Sequence, residues 1–174
     1  MNNQESIAVK LALTEKEYIF LSLYMKMKST IFVLTCFFFL YVAVFYLIID
    51  VTLLINIIIS AFLILFIILP MVLFVLSYRA KKEFRSSRSL QQEVIVEFSK
   101  LGYDLTTEHE SNHRGWDYIY SVRELKNSFV VYYSAYTATL YPKRCFDSKQ
   151  DTEVFKELVS KHIESNKVYL KTKH

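Results

Sequence analysis

The sequence predicts an α+β integral membrane protein, a two-helix transmembrane hairpin plus a cytoplasmic antiparallel β-sheet closed by a C-terminal helix. Three observations carry this. The run from Ser29 to Tyr78 contains one charged residue, Asp50. Beyond residue 90, short apolar runs alternate with turn formers. A last segment, about 149–165, carries apolar residues at helical spacing.

The apolar run is too long for one span. A bilayer core of about 30 Å needs about 20 helical residues at about 1.5 Å each. Ser29–Ile49 and Val51–Tyr78 are 21 and 28 residues long. Two helices at about 30–49 and 53–77 are expected, joined by a tight turn at Asp50-Val51-Thr52. Asp50 is read as a cap of the second helix rather than an intramembrane proton or ion site, since Asp and Thr suit helix starts. Asn56 and Ser60 are its nearest polar neighbours, and neither ionises. Pro70 should kink the second span, with neighbouring helices satisfying the freed carbonyl.

Charge placement sets the orientation. Lys26 and Lys28 precede the first span; Arg79, Lys81, Lys82, Arg85 and Arg88 follow the second. The connecting turn has no Lys or Arg. The positive-inside rule then puts both termini in the cytoplasm of a bacterial cell (inner) membrane. The basic collar is a candidate contact for anionic lipid. Net charge is only +4, with Gly and Pro at two each, and mean hydropathy is +0.23. That composition argues against a disordered chain, and no nucleic-acid partner is expected. Cys36 in the first span and Cys145 in the cytoplasmic part are read as unpaired thiols.

The remaining segments follow in order. Residues 6–14 alternate, with Ile7, Val9, Leu11 and Leu13 on one face, and predict a half-buried strand. Thr14 and Glu17 form a capping box that opens a helix. The strand can bury its face only against a sheet on the far side of the hairpin, so a domain discontinuous in sequence is expected. Residues 79–90 predict a basic helix. Strands are expected in QEVIVEFS, YDLTTEH, WDYIYSVREL, SFVVYY and YTATLY, with turns at Gly102, Lys126-Asn127 and Ser134-Ala135. Ser148 or Asp147 caps the last helix, whose stripe is Val154, Phe155, Leu158, Val159, His162 and Ile163. The segments are thus 1–29, 30–78, 79–90 and 91–174.

Trp116, Ile119, Val122 and Glu124, then Tyr141-Pro142-Lys143-Arg144 with Phe146, Ser148 and Phe155, resemble the pattern of the YcxB-like membrane proteins. Residues 13–24 are similar to that family's N-terminal segment, and the number and position of the spans agree. The resemblance implies a C-terminal domain like the bacterial pleckstrin-homology-like fold, a bent sheet closed by a helix. It carries over no catalytic residue.

His109-Glu110-Ser111-Asn112-His113 is formally H-E-x-x-H, which binds zinc when both His share a helix face. Flanking Thr106, Thr107 and Gly115 predict instead a polar hairpin tip. Lys143 and Arg144 read as a solvated turn, with an anion contact as the alternative; His162 reads as a packed helix residue. No metal and no cofactor are expected. The favoured function is a non-enzymatic membrane-anchored binding or regulatory module whose partners are the bilayer, anionic lipids and a membrane protein. The alternative is an immunity protein against a membrane-active toxin or bacteriocin, and an HExxH zinc peptidase is a remote third.

Overall fold

The computed structural model describes residues 6–48, 52–107 and 110–171. Its contacts divide the chain into two units: the segment up to Tyr18 together with Phe84 onward, and Ile19–Glu83. The elements are β1 (Ser6–Leu11), α1 (Glu15–Ile48), α2 (Leu53–Leu63), a π-helical turn (Ile64–Ile68), α3 (Leu69–Ser86), α4 (Arg88–Gln91), β2 (Val94–Ser99), β3 (Gly102–Thr106), β4 (Ser111–Arg114), β5 (Ser121–Glu124), β6 (Ser128–Tyr132), β7 (Ala138–Pro142), α5 (Lys149–His162) and β8 (Val168–Tyr169).

The helical unit is built from two long apolar stretches, each long enough to cross a bilayer. The capping helix and the first expected span are one helix, α1, of 34 residues. Its start is the capping box: Thr14 N–H donates to Glu17 Oε2 at 2.9 Å, and Glu17 N–H to Thr14 Oγ1 at 3.3 Å. A π turn lies just before Pro70, the residue at which a kink is expected. Leu69 N–H reaches back to the carbonyl of Ile64, so a wider turn separates the proline ring from the regular ladder. The tight turn and cap assigned to Asp50 lie outside the described residues. Thr52 stands at the N-cap of α2 with no side-chain capping bond.

The other unit has two four-stranded sheets, ordered β1-β2-β3-β4 and β7-β6-β5-β8. β1 pairs antiparallel with β2, so a strand that precedes the helices completes a sheet that follows them. The register places Ile7 against Phe98, Val9 against Val96 and Leu11 against Val94. All six lie on one face, in or against the core. β2 turns into β3 through Gly102 (φ +148°), where a Cβ would sit 2.2 Å from the Arg114 carbonyl oxygen, so only glycine fits. One core joins both sheets and α5 through Val96, Phe98, Val122, Phe129, Tyr141 and Phe155. α5 begins at Ser148, whose hydroxyl accepts from Asp151 N–H at 3.1 Å, and buries Phe155, Leu158 and Val159.

Three strand readings are corrected. Five strands after the helices are expected; the described residues hold seven, in two sheets rather than one meander. WDYIYSVREL is not one strand: Trp116–Tyr118 is a 3-10 turn and β5 starts at Ser121. That turn sends the indole inward, where Nε1 donates to the Ser99 carbonyl at 3.1 Å. Ser111–Arg114, read as part of a hairpin tip, is an edge strand, exposed throughout. A strand solvated on both faces has no apolar alternation to reveal it.

Candidate functional site

Two of the family-pattern residues, Glu124 and Lys143, meet at a buried carboxylate. Glu124 shares a strand face with Val122, one strand over from Phe129, so the pleat directs it toward the core. Its side chain is 2% exposed. Lys143 Nζ donates to Oε1 at 2.5 Å, Lys156 Nζ lies 3.1 Å from the same oxygen, and Lys171 N–H donates to Oε2 at 2.9 Å. Burial alone would raise the Glu124 pKa; the bonds from Lys143, the Lys171 backbone and Lys156 outweigh it and hold the pKa below its ordinary value. Lys143 also lies over the Phe129 ring at 5.2 Å.

The neighbouring residues are equally committed. Pro142 ends β7 and precedes the 3-10 turn Lys143–Cys145. Phe146 packs edge-on against Phe129 at 5.8 Å and lies 5.5 Å from Phe155. Trp116 stacks on Phe98 and lies nearly parallel to His162, with ring centroids 5.3 Å apart. Arg144 donates to Glu17 Oε1 at 2.9 Å, to Glu17 Oε2 at 2.7 Å and to the Ala12 carbonyl at 2.7 Å. Burial pushes the Glu17 pKa up, and Arg144 with both donors of Thr14 brings it below its ordinary value. Lys143–Cys145 forms a turn in which Arg144 stays half exposed. Lys143 and Arg144 are both locked into ion pairs within the sheet unit.

The basic collar is not one continuous helix. Arg79, Lys81 and Lys82 lie on α3 within the helical unit, with Arg79 and Lys82 exposed. Arg85, on the last turn of α3 and in the sheet unit, is paired with Glu15 at 2.6 Å, and Arg88 starts the separate helix α4.

The H-E-x-x-H residues do not share a helix. His109 lies outside the described residues, Glu110 is in a loop, and His113 is on β4 with Nδ1 2.8 Å from Asp104 Oδ1. Among the described residues, no group of three or more His, Cys, Asp or Glu could hold a metal ion.

Sequence reasoning missed Lys156 and Glu17 as partners, because pairs 32 and 127 residues apart leave no local signal. It also missed the polar contact inside the helical unit. Asn56 and Ser60 are buried; Asn56 Nδ2 donates to the Val42 carbonyl at 3.1 Å, and Ser60 Oγ to the Asn56 carbonyl at 2.6 Å. Ser60 thus bonds back to Asn56 within α2, while Asn56 ties α2 to α1. Such interhelical bonds are a usual cement of apolar helix pairs. Beside them is an apolar groove of about 320 Å³ lined by residues that include Leu34, Phe37, Tyr41 and Ile64.

No curated protein and no solved structure matches the chain. Residues 98–159 match the family model described as YcxB-like protein, a segment that runs from β2 into α5 and holds Trp116, Glu124, Pro142, Lys143, Arg144 and Phe146. The match includes neither residues 13–24 nor the long helices. Over that segment the chain is similar to the YcxB-like proteins, the family whose pattern the sequence resembles.

Proposed function

We propose that the chain is a non-enzymatic bacterial inner-membrane protein. In this reading α1 and α2–α3 cross the bilayer as a hairpin with both termini cytoplasmic, and the sheet unit is a pleckstrin-homology-like binding or regulatory domain. The observation that carries it is the exposure of large apolar side chains along both long helices, such as Leu47 at 82% and Phe74 at 72%. Water-exposed patches of that extent do not persist on soluble monomers. The sheet order, with α5 packed into a shared core, supports the pleckstrin-homology-like reading. The absence of catalysis is inferred from the family-pattern charges, each of which is consumed in an internal pair.

Impermeant thiol labelling of intact cells tests the topology in a Cys36→Ser background, where Cys145 is buried. Thr52→Cys should label from outside. Tyr136→Cys, at a site 93% exposed, should label only after permeabilisation. The reverse pattern sinks the reading.

The same reading makes the α3 cations the lipid contact. Each is attracted to an anionic leaflet by roughly 1 kcal/mol near the surface, less beyond a Debye length of about 8 Å. A peptide of residues 77–92 should bind anionic vesicles, weaken with salt, and lose most binding when Arg79, Lys81 and Lys82 become Gln. Equal binding to neutral vesicles would confine these residues to setting topology.

A further inference from the structure

β4 is the outer strand of its sheet, exposed along its length, with β3 on one side and no strand on the other among the described residues. Its unused hydrogen-bonding groups can be identified. The β3–β4 register pairs Thr106 with Ser111, Leu105 with Asn112, Asp104 with His113 and Tyr103 with Arg114. Beyond it, Thr107 N–H donates to the Glu110 carbonyl at 2.8 Å. Hydrogen-bonded and non-bonded pairs alternate along an antiparallel ladder. Glu110, Asn112 and Arg114 therefore direct their backbone groups at β3, while Ser111 and His113 direct theirs outward.

The side chains on this edge are self-complementary. Centred on Asn112, the segment Glu110-Ser111-Asn112-His113-Arg114 carries an acid two residues before the centre and a base two residues after it. Two copies running antiparallel about a two-fold axis at Asn112 would place Ser111 opposite His113, so that the outward groups of one copy meet those of the other. Asn112 would face Asn112 in a non-bonded pair. Glu110 would face Arg114 on the same side of the extended sheet, twice. A register shifted by one residue would leave the outward groups without partners and separate the opposite charges. The stretch has neither a proline nor a bulge, two devices that blunt an edge, and its charges, Glu110 and Arg114, are of opposite sign.

We propose that β4 is a homodimerisation edge, with a second copy of the chain pairing in the register 111↔113 and 112↔112 to make one continuous eight-stranded sheet. The two-fold is an isologous contact that closes on itself. It lies wholly within the sheet unit.

Disulfide trapping of the full chain in detergent tests this, in the Cys36→Ser background. Non-bonded pairs have Cα atoms about 4.5 Å apart, within disulfide reach, whereas Ser111 and its own copy would be about 8 Å apart, outside it. On mild oxidation Asn112→Cys should form covalent dimers at least fivefold more than Ser111→Cys or His113→Cys. Glu110→Arg and Arg114→Glu should each lower the Asn112→Cys yield at least fivefold, and combining them should restore it to within twofold. Three positions that cross-link alike, a yield indifferent to charge reversal, or failure of the double reversal would each overturn the proposal. Trapping of Asn112→Cys only with a foreign protein would assign the edge to another strand. The readout in detergent does not depend on how the helices lie in a membrane, so it fails separately from the topology above.

Discussion

Val9→Asp should unfold the sheet unit, whereas Lys10→Asp should change its stability by about 0.5 kcal/mol or less. Val9 is 0% exposed and sits opposite Val96 in the shared core; Lys10, its neighbour on the strand, is exposed. Period-two geometry puts the two on opposite faces. A carboxylate at Val9 has no partner there, so burying it, or protonating it first, costs several kcal/mol. That is a large part of the roughly 5–15 kcal/mol that holds a domain together. Urea unfolding in mild detergent, followed by fluorescence of Trp116, the chain's one tryptophan, separates the cases. Equal midpoints for the two variants would mean that β1 contributes no buried face.

Removing both lysines from Glu124 should be nearly as damaging. Lys143→Met with Lys156→Met leaves a carboxylate, 2% exposed, with the Lys171 backbone N–H as its one donor among the described residues. Breaking a buried pair from one side costs about 3–5 kcal/mol, and the partial exposure of the lysines places this case at the low end. Adding Glu124→Leu should recover most of the loss, since an apolar replacement of a whole buried ionic set is often neutral. The pH dependence has a definite sign. The folded-state pKa of Glu124 is depressed, so its contribution is fully present above the unfolded-state value of about 4.3 and is lost as pH falls through the folded one. Glu124→Gln should flatten the acid limb of the stability curve. An unchanged acid limb would show that the carboxylate titrates alike in both states.

The parts of this fold legible in the sequence are those written in local pattern. The alternation of Ile7, Val9 and Leu11, the Thr14–Glu17 box and the Ser148 cap each depend on residues within a few positions of one another, and each is present. β4 escaped because a polar edge strand has no buried face to pattern. β8 escaped because two residues paired in parallel to β5 carry no signature. Trp116 opens a run that reads as one strand, but its indole stacks on Phe98 and donates to the Ser99 carbonyl. The site was half visible. The family pattern named Glu124 and Lys143, while their union with Lys156, and that of Arg144 with Glu17, exists only once the chain has closed.

The pairing of β1 with β2 also has a consequence for biogenesis. The two strands lie about 80 to 90 residues apart in sequence, with both long helices between them. At roughly 5–20 residues per second, a ribosome makes β1 about 4 to 18 s before β2 emerges. During that interval Ile7, Val9 and Leu11 have no sheet to join. Closing a loop of that length carries an entropic cost of roughly 4 kcal/mol, lowered once the helices pack as a hairpin and bring their outer ends together. The sheet unit is therefore the last part of the nascent chain to form, and a chain whose helices fail to pair leaves an unpaired apolar strand for quality-control proteases to find.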